Sequence, residues 1–200
     1  MNSPFLPVVL ALSLALPFAA LAEKADRDKP MNVEADALRY DDLRQVSVFT
    51  GKVVLTKGTI VIRGARLEVR QDPDGFQYGI VTAEPGKRAY YRQKREGLDE
   101  YIEGESEVID YDGKADRVKF VRQAELRRLR GATLADEMTG SVITYENTTD
   151  VFTVDGGPAS PRPGGRVRAV LAPREAASAP ATGTPPAQLK PAPGISGSPR

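Results

Sequence analysis

Between residues 48 and 69 the chain reads VFTGKVVLTKGTIVIRGARLEV, and its apolar positions recur at every second residue. Phe49, Val53 and Leu55 share one parity, Ile60 and Ile62 another, then Leu67 and Val69. A period of two lines one face of a pleated strand, which leaves Lys52, Thr56, Arg63, Arg66 and Glu68 mostly on the opposite face. The density of β-branched residues disfavours helix and suits a half-buried sheet surface. Gly51, Gly58 and Gly64 fall where a strand must bend, pair closely or turn, so the stretch predicts three short strands back to back.

The pattern returns later in the chain. Tyr40-Asp41 comes back as Tyr111-Asp112 and Phe49 as Phe120, both at an offset of 71. Val53 and Leu55 then correspond to Ala124 and Leu126, Ile62-Arg63-Gly64 to Met138-Thr139-Gly140, and Leu67 to Ile143. The reading is two copies of one β-meander, against chance likeness between short Gly-punctuated strands. Further strands are predicted at 30–33, 35–40, 45–50, 79–83, 89–93, 101–102, 108–111, 118–120, 151–154 and 166–171. The Gln71-Asp72-Pro73-Asp74-Gly75 run is a turn, Pro fixing φ and Gly accepting a positive one.

Composition bounds the rest. Residues 5–22 are an apolar run ending in Ala20-Leu21-Ala22, the small-x-small pattern of a cleavable signal peptide over 1–22. Residues 23–29 are charged and read as a flexible start of the mature chain, 30–173 as one β domain, and 174–200 as a disordered Pro/Ala-rich tail. The chain has no Cys and no His, which removes thiol chemistry, the commonest metal ligand and nearly every nucleophilic triad. No cofactor or metal site is implied. A net charge of +1 does not suit a general polyanion binder, and nucleic acid is not expected as a partner.

The search for an active site yields none. Glu103, Glu105 and Glu107 share a strand parity, which fits charged residues on the wet face of a strand better than paired acid–base carboxylates. Lys119, Arg122, Arg127, Arg128 and Arg130 form the one dense basic cluster, read as a solvated strand face or as a contact for an anionic lipid headgroup or partner. Val, Ile, Leu and Ala line the apolar face. They can meet each other in a closed sandwich or leave a groove for acyl chains; the pattern leaves both open.

The run from Phe49 to Ile60, following Ala35-Asp36 and Tyr40-Asp41, resembles the OstA-like domain of lipopolysaccharide-transport (Lpt) proteins. The layout of a cleavable signal and a single such domain is similar to the soluble periplasmic bridge component A. The family's usual Phe-x-Gly-Asn pattern reads Phe49-Thr50-Gly51-Lys52 here and Phe120-Val121-Arg122-Gln123 in the second copy. The resemblance implies an all-β fold, a single open (V-shaped) β-jellyroll built from two similar antiparallel β-meander halves. It implies a non-enzymatic, periplasmic lipopolysaccharide carrier that meets inner-membrane component C, outer-membrane component D and copies of itself head to tail. The alternative is a β-edge scaffold of the envelope that carries no lipid. The expected groove residues are Phe49, Val53, Leu55, Ile60, Ile62, Leu67, Tyr91, Phe120, Ala124, Leu126, Met138 and Ile143. The expected partner-edge strands contain Met31, Asn32, Val33, Val167, Ala169 and Leu171.

Overall fold

The structure, a computed structural model, describes residues 26, 29–95 and 97–173. The expected signal peptide and the tail after 173 lie outside the described residues. Among the described residues twelve antiparallel strands make up the fold. In chain order they are β1 (Asn32–Glu34), β2 (Ala37–Asp41), β3 (Val46–Lys57), β4 (Ile60–Gln71), β5 (Gln77–Thr82), β6 (Ala89–Lys94), β7 (Glu100–Ser106), β8 (Val108–Asp112), β9 (Arg117–Arg130), β10 (Thr133–Glu146), β11 (Val151–Asp155) and β12 (Arg168–Leu171). A 3-10 turn at Pro163–Gly165 is the one helical element among the described residues.

The stretch 48–69 holds two long strands, not three short ones. Only Gly58 turns the chain; at Gly51 the strand bulges and continues. Gly51 and Lys52 take φ of 79° and 46°, and the β3–β4 register slips by one residue between Thr50 and Val53. The second copy bulges at the same place, with φ of 62° at Arg122 and 52° at Gln123.

The duplication runs through the whole domain: β1–β6 recur as β7–β12. Phe49 faces Leu67 as Phe120 faces Ile143, Leu55 faces Ile62 as Leu126 faces Met138, and Val53 faces Gly64 as Ala124 faces Gly140. The neighbours correspond too. β4 pairs with β5 through one half and β6 through the other, as β10 does with β11 and β12. β1 lies beside β3 as β7 lies beside β9.

Each long strand therefore serves two layers. One runs β2-β3-β4-β5-β8-β9-β10-β11, the other β1-β3-β4-β6-β7-β9-β10-β12. The bulges sit where the strands bend from layer to layer. Beside them the Asp36 amide donates to the Gly51 carbonyl (2.9 Å), and the Glu107 amide to the Arg122 carbonyl (3.0 Å). In the partner strands, a Cβ on Gly64 would lie 2.4 Å from Val81 Cγ1, and one on Gly140 2.7 Å from Val154 Cγ1. Only a glycine permits so close an approach at these bends.

The core lies between the layers. Tyr91 from one meets Phe120 from the other edge-on, ring centroids 5.5 Å apart at 79°. Each fully buried Leu, Ile or Phe there is worth about 1.5–3 kcal/mol of apolar transfer.

Candidate functional site

Ten of the twelve residues expected to line a groove are sealed inside, at 0–2 % exposure: Val53, Leu55, Ile60, Ile62, Leu67, Tyr91, Phe120, Ala124, Leu126 and Ile143. Phe49 and Met138 are half-buried. These two sit at opposite ends of the domain, and the duplication explains them. Phe49 corresponds to Phe120 and Met138 to Ile62, both covered by the other half of the chain. Among the described residues no further half covers the terminal strands, and the same positions are open there. A cleft of about 180 Å³ enters the interior at the β1–β2 end between Met31, Val33, Phe49 and Val69. At the other end Met138, with Phe152 and Val154 of β11, is half-buried against the core.

The expected edge strands are edges. Among the described residues β1 pairs only with β3, and β12 only with β10. Asn32 and Ala169 lie within these strands as expected, as do Val33 and Leu171; Met31 and Val167 flank them. Sequence reasoning missed that the other layer has free edges as well, β2 and β11. The exposure of β2 marks it as an edge: Leu38 and Tyr40 are 58 % and 54 % exposed, whereas the repeat partners Ile109 and Tyr111 are 0 % and 3 %.

Polarity changes with depth. Near the bends the interior is apolar; at the strand ends remote from them it is charged. Arg95 in the β6–β7 turn pairs with Asp150 in the β10–β11 turn (2.9 Å) and with Glu100. Arg128 pairs with Asp136, and Arg130 Nε donates to Glu100 at 3.1 Å. Burial alone would raise the Glu100 carboxyl, but donation from Arg95 and Arg130 outweighs it and holds the group below the ordinary glutamate value. Burial pushes the Tyr91 and Tyr145 phenols well up; Tyr145 also donates to Asp150 (3.1 Å) and Tyr91 to Gln93 (2.5 Å).

The arginines of the basic cluster pair with carboxylates: besides Arg128 and Arg130, Arg122 meets Glu107 (2.7 Å), and Arg127 meets Glu125 and Glu105. Asp26, from the segment expected to be flexible, is anchored. It accepts from the Thr59 amide (2.7 Å) and from Gln93 (3.3 Å), closing the β3–β4 turn against β6.

Residues 32–151, from β1 to the start of β11, match the sequence profile of the LptA/(LptD N-terminal domain) LPS transport proteins. The chain belongs to this family. It is 32 % identical over 179 residues to the lipopolysaccharide export system protein LptH of Pseudomonas aeruginosa, covering 86 % of this chain and 96 % of that protein. It is 30 % identical over 190 residues to the lipopolysaccharide export system protein LptA of Escherichia coli K12, covering 94 % and 96 %. The crystal structure of P. aeruginosa LptH, described as the LptA-homologous periplasmic component of a lipopolysaccharide transport device, superposes with a TM-score of 0.64. That alignment covers 74 % of this chain and 99 % of LptH at 26 % identity. The all-β jellyroll expected from the OstA-like resemblance is thus the fold of a family relative.

Proposed function

We propose that this chain is a periplasmic lipopolysaccharide-binding bridge protein of the Lpt system, shielding acyl chains between its layers on the way from the inner to the outer membrane. The twelve interior residues from Phe49 to Ile143 form the shield. Shielding matters because each exposed CH₂ costs about 0.8 kcal/mol in water. One observation carries the reading: positions sealed in the middle of the domain are half-open at both ends, so the interior is built to continue into a neighbour.

The duplication also supports one register for the neighbour. Within the chain β6 pairs with β7 and β5 with β8, joining one half to the next. A second copy repeats this junction when β12 and β11 take the places of β6 and β5, and its β1 and β2 those of β7 and β8. Arg92 faces Glu103 inside the chain; the equivalent pair between copies is Val170 facing Asn32. Component C and component D jellyroll domains fit the same free edges, β1/β2 on one side and β11/β12 on the other.

The test of function is lipid capture. The mature chain, purified from an envelope extract, retains lipopolysaccharide that a carrier must hold and a scaffold need not. The register is tested by Asn32→Cys with Val170→Cys in this cysteine-free chain. Oxidation produces a ladder of disulfide-linked copies; a ladder with Glu34→Cys in place of Asn32→Cys, and none with the first pair, contradicts the register. The scaffold reading is favoured by one fact, the filling of the interior by its own side chains. A mature chain that never carries lipid decides for it.

A further inference from the structure

The two layers are joined by continuous strands at the bends. At the opposite margin, among the described residues, no backbone hydrogen bond links them. Among the described residues, side-chain contacts bridge that margin. Arg95 of one layer reaches Asp150 of the other through Nη2–Oδ2 at 2.9 Å and Nε–Oδ1 at 3.3 Å. In the first half Lys57 Nζ donates to Gln77 Oε1 at 3.4 Å. Gln77 and Asp150 are equivalent in the duplication, since Val81 and Val154 occupy the same place four residues on. The same point in each half therefore carries a cross-margin contact.

We propose that the Arg95–Asp150 pair is a latch across this margin, and that the anionic head of an entering lipid opens it by taking Arg95 from Asp150. This rests on the carrier reading above. Four features support it. The interior is filled, so acyl chains enter only if the layers part. The pair is asymmetric: Arg95 is 11 % exposed and stays paired to Glu100 of its own layer, whereas Asp150 is 53 % exposed and rehydrates on release. A guanidinium fork that grips one carboxylate fits a phosphate equally well. The charged margin over an apolar interior matches an amphiphile whose chains lie deep and whose phosphate-bearing head stays at the rim.

The test uses the full mature chain with spin labels on Leu98→Cys and Thr149→Cys, which flank the latch on opposite layers. Without lipid, both Asp150→Asn and Arg95→Gln lengthen and broaden the label distance relative to the unmutated latch. Asp150→Asn, which frees Arg95, raises lipopolysaccharide capture about two- to fivefold, the effect of losing one part-exposed ion pair. Arg95→Gln opens the margin but gives no such rise. Label distances unchanged in both variants overturn the latch. Equal gains in capture overturn the role of the headgroup. An unmutated chain that captures no lipopolysaccharide, with Asp150→Asn still widening the label pair, overturns the carrier reading and supports the latch.

Discussion

Gly104 in β7 is the position at which the tightness of the interior can be measured with one carbon atom. A Cβ there would lie 2.2 Å from Phe120 Cε1, 2.4 Å from Cζ and 2.9 Å from Cδ1. Carbon atoms in contact sit about 3.5–4.0 Å apart, so the ring must retreat by more than about 1 Å. It has nowhere to go: Phe120 is 0 % exposed and abuts Tyr91. Overpacking of this kind costs about 1–3 kcal/mol, while removing a glycine from the unfolded chain returns about 0.4–1 kcal/mol. Gly104→Ala should therefore lose about 1–2 kcal/mol in urea denaturation, with a Tm lower by about 2–8 °C. Phe120→Leu in the same chain should recover part of the loss, giving a coupling between the two sites. The duplication supplies the control. Val33 holds the position of Gly104 in the first half, where Phe49 is half-open and a branched side chain fits. A neutral or stabilising Gly104→Ala would show that the ring has room and that the interior is looser than described.

Three further outcomes are expected. The raised pKa of Tyr91 and of Tyr145, caused first by burial, means the folded state holds these protons more tightly than the unfolded state. Stability is then full below about pH 10 and falls as pH rises past it, by up to about 1.4 kcal/mol per pH unit for each phenol; urea midpoints that stay flat to pH 11 refute this, and Tyr145→Phe should flatten the fall. The Ala172 amide donates to the Ala135 carbonyl, so by strand alternation the Ala169 amide points away from β10. Ala169→Pro should leave the monomer folded and weaken self-association about fivefold, the worth of one hydrogen bond, by sedimentation; unchanged association excludes this edge as the joint. Truncation after residue 173 should leave both the thermal midpoint and lipopolysaccharide capture unchanged, and a large loss of either means the tail docks.

Much of this was legible in the sequence because strand periodicity and duplication are both local records. Parity and the repeat selected nine residues that prove fully buried, and the offset of 71 aligned Phe120-Val121-Arg122-Gln123 with Phe49-Thr50-Gly51-Lys52, the place where both copies bulge. The length of β3 and β4 was less legible, because Gly51 and Gly64 look like strand ends when they are bends in strands that continue. The closure of the interior could not be read at all: Arg95 and Asp150 are 55 residues apart, and both lie outside 40–67 and 111–143, the stretches whose likeness the sequence displays. Asp26 was missed for a similar reason, its partners Thr59 and Gln93 being 33 and 67 residues away.

The central claim is that lipid travels between the layers. A photoreactive residue in place of Phe49 or Phe120, in living cells with an active export system, should cross-link to lipopolysaccharide on illumination. The same residue in place of Ile80, which is 46 % exposed and paired through strand parity to the outer face, should not. Cross-linking at Ile80 with none at Phe49 or Phe120 would place the lipid outside the jellyroll and contradict the account.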